Sequence, residues 1–347
     1  MDTDRTSARD FFTDRVAMAP MAQGGNLPYR RLCREYGAQL TCSEMVIADK
    51  LVKGGERPLL RHHDSEDGFG IQLCGKRAEN LAEGARMAVE AGAQYIDLNF
   101  GCPIDLIVRR GSGAAMMKKP RKLAALVAAV RAAVDVPLSV KIRSGYSETK
   151  INAVAVALLV EAEGADALVI HGRTRAQRYK RSANWEIIAE VAEALTIPVI
   201  GNGDIMTPWD LERRRRETSV SSFLVARGCL IKPWVFQELV SGQVWNPTLV
   251  ERWAVMRRYF DLALEHFGDD EKGLGRAHRF VIWHLHFWHR WRPYTEDDFR
   301  AHLPESLIQK REESVLDDPE EALLASPDEA DHEVIWRRLV DRDYPGA

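Results

Sequence analysis

At 347 residues, with 46% hydrophobic residues and a net charge of −3, the chain is long enough for one large domain plus a smaller one and can bury a sizeable core. With Asp2, Asp4, Arg5, Arg9 and Asp10 at its start, the sequence is expected to carry no apolar leader, and no apolar run is long enough to span a bilayer. Five cysteines (Cys33, Cys42, Cys74, Cys102, Cys229), scattered and without a Cys-x-x-Cys pair, argue against a disulfide framework or a zinc module, so a reducing cytoplasm and a monomer free of membrane and metal are expected.

In chain order, short β-rich runs alternate with longer helical ones. Strands are expected at Val16–Pro20, Leu40–Met45, Phe69–Leu73, Tyr95–Asn99, Leu138–Ile142, Ala167–Ile170, Pro198–Gly201 and Ser222–Ala226. Helices are expected at Ala78–Glu90, Pro120–Val134, Lys150–Glu163 and Asn184–Ala194, with Gly92 and Gly164 as helix stops. Eight strand–helix repeats predict an α/β fold, a (β/α)8 TIM barrel over residues 1–243. A doubly wound dinucleotide-binding sheet is the rival. Its glycine fingerprint is missing, because Gly111-Ser112-Gly113-Ala114 lacks the third glycine and does not follow a strand directly.

The Ser241-Gly242 and Asn246-Pro247 breaks set off a small C-terminal helical domain at 247–303. Residues 304–333 hold eleven acidic and two basic residues, so 304–347 is expected to be a mobile acidic tail and the rest of the chain is net positive. Basic clusters stand at Arg109-Arg110, Lys118 to Lys122, Arg173 to Arg181 and Arg213 to Arg216; each is either a binding surface or an ordinary solvated face.

A barrel of this kind carries its active face at the C-terminal ends of its strands. Those ends hold Pro20-Met21-Ala22, Glu44, Gln72, Asn99 with Cys102, Lys141, His171 with Arg173, Asn202-Gly203-Asp204, and Ala226-Arg227. Gly203 lets the backbone approach an oxyanion and Arg227 adds a cation, matching a phosphate site after the last two strands. Lys141 can stabilise negative charge on a reduced flavin, and Gln72 can donate to and accept from the edge of its ring, which points to FMN. Gly101 and Pro103 fix a tight turn around Cys102, presenting its thiol as a candidate acid; a buried structural cysteine is the alternative.

The strings Ala19-Pro20-Met21, Gly70-Ile71-Gln72-Leu73, Leu98-Asn99-Phe100-Gly101-Cys102-Pro103, Lys141-Ile142-Arg143, His171-Gly172-Arg173-Thr174 and Gly201-Asn202-Gly203-Asp204 resemble the dihydrouridine synthases, flavoenzymes that reduce uridine in RNA. The resemblance covers roughly residues 15 to 240. Gly25-Asn26-Leu27-Pro28-Tyr29-Arg30, Thr41-Cys42-Ser43-Glu44-Met45, Cys102-Pro103-Ile104-Asp105 and Gln177-Arg178-Tyr179 bring it nearest to the eukaryotic branch that acts on the variable loop of tRNA. That branch carries a zinc-finger extension ahead of the barrel, which has no counterpart in this sequence.

The resemblance implies that Cys102 protonates uracil C5 and that hydride from the flavin reaches C6. It implies that Pro20, Met21, Ala22, Gln72, Lys141 and His171 contact the flavin, and that Asn202, Gly203, Asp204, Ala226 and Arg227 hold its phosphate. Asn99 and Arg178 become candidates for the uracil edge, NADPH is the implied reductant, and tRNA is the implied partner.

A uracil in folded RNA must be swung out to reach a recessed ring, and a docking platform is needed. Arg276, Arg279, Arg290 and Arg292, interleaved with His278, His284, His286, His289, Trp283, Phe287, Trp288 and Trp291, suit such a surface, although the aromatic residues equally suit the core of a helix bundle. The histidines lack His-Glu-x-x-His spacing, so no metal site is expected there. Two rivals remain: an FMN-barrel dehydrogenase acting on a free pyrimidine or other small molecule, and a non-catalytic RNA-binding module.

Overall fold

The computed structural model describes residues 7–310 and 316–347. All eight expected barrel strands are found: β1 (Val16–Met18), β2 (Thr41–Cys42), β4 (Phe69–Cys74), β5 (Tyr95–Asn99), β6 (Leu138–Arg143), β9 (Ala167–His171), β10 (Val199–Asn202) and β11 (Ser222–Val225). They pair in parallel in the order β1-β11-β10-β9-β6-β5-β4-β2, and a bridge from Ala17 to Leu40 returns the sheet to its first strand. A short β3 (Val46–Ile47) extends the pairing along β4, and β7 (Gly145–Ser147) with β8 (Lys150–Ile151) forms a small hairpin.

Strand alternation divides each sequence between two environments. In β5, Ile96 and Leu98 turn outward into the layer shared with the helices, where Leu138, Val140, Leu168 and Ile170 join them. The barrel interior is a separate small cluster of Phe12, Ala17, Leu40, Cys42, Tyr95, Ala167, Val169, Ile200 and Leu224. Phe12 meets Tyr95 edge-on at 5.4 Å. A side chain at Gly70 would collide with the Tyr95 ring, whose hydroxyl donates to the Thr41 carbonyl at 2.9 Å.

Going up each strand by twos, inward residues change from apolar or small to polar: Tyr95, Asp97, Asn99; Ser139, Lys141, Arg143; Ala167, Val169, His171; Ile200, Asn202. The closed end thus supplies packing, and the C-terminal end supplies chemistry.

The helix expected from Lys150 begins at Ala153, because Lys150 and Ile151 pair in the β7–β8 hairpin. The helices Leu249–Phe267 and Glu271–Trp288 are started by a Thr248–Glu251 capping box and by Asp270, respectively. They pack on the first barrel helix, Leu27–Glu35. The Tyr29 hydroxyl donates to the Cys229 carbonyl at 2.6 Å, Trp288 Nε1 donates to the Tyr29 hydroxyl at 3.2 Å, and His284 stacks on the Tyr29 ring at 3.7 Å.

The expectation of a mobile acidic tail needs correction. Leu307–Gln309 forms a helical turn, and Pro319–Ala325 and Glu329–Asp341 form helices that bury Leu307, Ile308, Leu324, Ile335 and Leu339. The acidic residues lie partly on their outer faces and partly in ion pairs, Glu321 with Arg252, Glu333 with His278 and Glu320 with Arg338. Charge dominates the composition of this stretch, while a few leucines and isoleucines at helical spacing anchor it. Residues 311–315 of the expected tail lie outside the described residues.

Candidate active site at the barrel mouth

A chain of side chains with a fixed hydrogen-bond direction runs across the mouth to Cys102. Ser139 Oγ donates to Asp97 Oδ1 at 2.7 Å, and Gln72 Nε2 donates to Asp97 Oδ2 at 2.7 Å. Because that contact turns the Gln72 amide nitrogen toward Asp97, its Oε1 faces Asn99, whose Nδ2 donates to it at 2.7 Å. The Asn99 oxygen is thereby left to accept the backbone N–H groups of Cys102 at 2.8 Å and Gly101 at 3.1 Å. A carboxylate can only accept from these donors, so Asp97 sets the orientation of both amides and, through them, the turn that holds the thiol.

The turn is clamped from two other directions. Arg143 donates from Nε to the Gly101 carbonyl at 2.8 Å and from Nη1 to the carbonyls of Thr174 at 3.0 Å and Arg178 at 3.1 Å. The Cys102 carbonyl accepts from Ala114 N at 3.0 Å, an approach open only because Gly113, at φ 58°, has no Cβ to strike it. Cys102 is half-buried. Burial pushes its thiol above the ordinary value, against a backbone hydrogen bond at Ile104 and the charge of Arg143, so the group stays protonated at neutral pH.

On the neighbouring strand β6, Lys141 Nζ donates to Asn202 Oδ1 at 3.0 Å, and Asn202 Nδ2 donates to the Leu224 carbonyl at 2.7 Å. Burial pushes the Lys141 ammonium down to about 8, helped by Arg143 and opposed by Asp97. Asp97 itself is pushed up to about 6 by burial, opposed by its hydrogen bonds from Gln72 and Ser139 and by Lys141. Pro20 lines the barrel interior together with Asp97, Ser139 and Lys141; Met21 is half-buried and Ala22 exposed at the end of β1.

One pocket gathers most of the remaining predicted residues: His171, Asn202, Gly203, Asp204, Ala226 and Arg227 line it together with Arg173, Tyr179, Ile205, Leu224 and Ile308. Gly203 has φ 146°, and a Cβ there would strike that of Ala183, so the loop can take this path only with glycine. Its carbonyl accepts from Trp185 Nε1 at 3.1 Å. Asp204 joins both arginines: Oδ2 accepts from Arg173 Nη2 at 2.5 Å and Oδ1 from Arg227 Nη2 at 2.7 Å. Two guanidinium groups around one carboxylate leave a net positive pocket. Tyr179 lies against it, its ring 5.3 Å from the Arg227 guanidinium. Burial and four surrounding cations hold His171 well below its ordinary range, leaving it neutral.

Arg178 stands outside these lining residues. Its exposed side chain donates to Asp105 Oδ2 at 2.7 Å on the loop that follows Cys102. Asp97, Ser139, Arg143 and Tyr179 were not singled out as site residues from the sequence, whereas Arg173 was read beside His171 at its strand end. For the first three a signal existed, since Asp97 shares strand parity with Asn99, and Ser139 and Arg143 share it with Lys141.

In the basic stretch beyond the barrel, His284, Trp288 and Trp291 are buried, so these aromatic residues are core. Arg276 and Arg279 are exposed on the same helix, and Arg290 donates to the Ile308 carbonyl at 3.0 Å. Arg213, Arg214 and Arg216 pair with glutamates of their own helix. Among the described residues no group of histidine, cysteine, aspartate and glutamate is arranged to hold a metal ion, and no helix is long and apolar enough to cross a membrane.

These observations define an α/β barrel with a positively charged pocket and a positioned thiol at the C-terminal ends of its strands. The family model described as dihydrouridine synthase (Dus) matches residues 17–323, and the chain belongs to this family. It is 37% identical over 305 residues to the tRNA-dihydrouridine(47) synthase (NAD(P)(+))-like protein of Xenopus tropicalis, covering 86% of this chain and 47% of that protein. Proteins of the same description from Oryza sativa subsp. japonica and Homo sapiens are 36% and 37% identical, over 82% and 80% of this chain and 41% and 43% of theirs. The chain thus spans under half the length of these curated relatives.

Among solved structures, histamine dehydrogenase from Rhizobium sp. 4-9 superposes with a TM-score of 0.51 at 14% identity, over 74% of this chain and 51% of that one. A 2-naphthoyl-CoA reductase complex superposes with a TM-score of 0.53 at 14% identity, over 66% and 50%. These two likenesses concern the fold alone.

Proposed function

We propose that the chain is the catalytic part of a tRNA-dihydrouridine synthase, an FMN-dependent oxidoreductase that reduces the C5=C6 bond of a uridine in tRNA with NADPH as electron source. The observation that carries this reading is the Asp97–Gln72–Asn99 chain, which holds a protonated Cys102 at the same barrel mouth as the positive pocket. Family membership and the names of the relatives support it.

The residues present fit an FMN. Asn202, Gly203, Asp204, Ala226 and Arg227 would hold the phosphate, because Gly203 opens the backbone and Arg227 contributes a cation that is still partly exposed. Pro20, Met21, Ala22, Gln72, Lys141 and His171 would border the ring. Gln72 is buried and both ends of its amide are engaged, so any contact it makes to the ring uses its second N–H or lone pair. Bound and reduced, the cofactor would supply the hydride that adds to uracil C6.

The protein's own contribution is then the second hydrogen. Cys102 Sγ holds the proton destined for C5, and its raised pKa keeps that proton in place at working pH. Asn99 fixes the Cys102 turn, and Lys141 supplies positive charge beside the ring. Arg178, at the rim and tethered to Asp105, is the proposed contact to the uracil edge or its neighbouring phosphate. The exposed Arg276 and Arg279 are the proposed platform for tRNA.

The test is to incubate the FMN-loaded protein with NADPH and an unmodified tRNA transcript and to follow the gain of two hydrogens on one uridine by mass spectrometry. Formation of dihydrouridine is expected, and Cys102→Ala should slow it by at least about 10²-fold with flavin content unchanged. Reduction of free uridine as readily as tRNA would favour the small-molecule dehydrogenase, and a near wild-type rate in Cys102→Ala would assign the proton to another donor.

A further inference from the structure

The pocket around Asp204 has a wall that no barrel strand or loop supplies. Ile308 lines it, from a segment about a hundred residues further along the chain and beyond the helical domain. Ser306, Leu307 and Ile308 are 3%, 1% and 2% exposed, so the segment is seated in the protein interior. Ser306 Oγ donates to the Asp204 carbonyl at 3.0 Å, and Gln309 Nε2 donates to Asp204 Oδ1 at 3.2 Å, the same oxygen that accepts from Arg227. The segment is tied down from both sides: Arg213 Nη1 donates to the Pro304 carbonyl at 3.3 Å, and Arg290 Nη2 donates to the Ile308 carbonyl at 3.0 Å.

We propose that residues 306–309 complete the phosphate-binding site, with Gln309 as a positioning residue that orients Asp204 and, through it, Arg227 toward the anion. This rests on the proposal that the pocket takes the phosphate of FMN. The physical reason is the crowding of Asp204. Its carboxylate accepts from Arg173, Arg227, Ala183 N and Gln309, and its φ of 53° holds it in a backbone region that ordinary residues seldom adopt. Gln309 and Arg227 Nη2 converge on Oδ1, which fixes the carboxylate and with it the guanidinium, whose partly exposed face stays available for an incoming phosphate. An uncharged donor is suited to this place. A second carboxylate would repel the ligand, and a non-polar side chain would leave Oδ1 without its second donor and the carboxylate free to turn with Arg227.

The inference is tested with the full-length apo-protein by titrating FMN and riboflavin and following flavin fluorescence. Riboflavin has the same ring but no phosphate, so the ratio of the two dissociation constants isolates the phosphate site. Gln309→Glu is expected to weaken FMN by about tenfold while leaving riboflavin within about twofold, because the added charge beside Asp204 and Arg227 opposes a phosphate and riboflavin carries none. Gln309→Ala, which removes one hydrogen bond to a charged group, is expected to weaken FMN by about threefold or more with the same indifference to riboflavin.

Equal weakening of both ligands would mean that the segment merely supports the fold, and no change in either would remove it from the site; both outcomes overturn the proposal. Failure of the wild-type protein to prefer FMN over riboflavin is a different result, and it would overturn the phosphate assignment of the pocket itself.

Discussion

Lys141 lies between Asp97 and Arg143 on the barrel's inner wall, so its charge is set by competition among burial, a repelling guanidinium and an attracting carboxylate. Burial dominates and brings its pKa down to about 8. A cation depressed in this way is charged below that pH and neutral above it. Under the flavin reading the charge faces the ring, so apo-protein is expected to bind both FMN and riboflavin about tenfold more weakly at pH 9 than at pH 7. Lys141→Met should bind both ligands weakly at pH 7 and show no such step, as judged by fluorescence titration at the two pH values. Wild-type affinities that do not change over this range would place the lysine away from the ring. The same wall shows why single residues here cannot be read in isolation. Gln72 and Asn99 are polar groups at strand ends, as the sequence indicates, yet their amide orientations are dictated by Asp97 one layer deeper.

At the scale of elements, the eight strands were legible because each alternates between a helix-facing hydrophobic set and an inward set that becomes polar toward its end. What alternation cannot reveal is where a side chain replaces a backbone partner. The strand expected at Leu40–Met45 ends with β2 at Cys42, where the Ser43 hydroxyl, not a carbonyl, accepts the Gln72 N–H at 3.1 Å, and β3 begins only beyond it, at Val46. The pocket residues at the ends of β9, β10 and β11 were also legible, whereas Tyr179 lies on a loop, and Ile308 and Gln309 were hidden in a stretch whose charge overwhelmed its few apolar anchors. The loop after β10 was readable down to its glycine. Gly203 has φ 146°, and an added Cβ would meet that of Ala183 across the turn that Trp185 holds. Gly203→Ala is therefore expected to cost about 1–3 kcal/mol of stability through backbone strain, measured as a lower urea midpoint of the apo-protein, and to weaken FMN more than riboflavin. An unshifted midpoint would mean that the loop relaxes freely and that the glycine is not required by its conformation.

For the whole molecule, the sequence implies a barrel and a helical domain that could be separated, and the packing argues for one body. Tyr29 on the first barrel helix is enclosed by Tyr259, His284 and Trp288 from beyond residue 247, Arg258 pairs with Glu35 at 2.5 Å, and the 306–309 segment returns to Asp204. A chain cut near Gly242 would expose this apolar interface and lose a wall of the pocket, so RNA recognition has to be probed by surface charge in the full-length protein. Arg276 and Arg279 are the suitable positions because both are exposed, whereas Arg290 is engaged with the Ile308 carbonyl and its loss would also disturb the pocket. Replacing both Arg276 and Arg279 by glutamine should weaken tRNA binding and reduce the slope of log affinity against log salt by about 0.7–0.9 for each phosphate that is no longer neutralised. Flavin content and NADPH-driven flavin reduction should not change. Filter binding across a salt series reads both the affinity and the slope. An unaltered slope would move the platform to the 173–181 loop, where Arg178 and Arg181 are exposed at the edge of the same mouth, and their replacement should then produce the shallower slope that the helix did not.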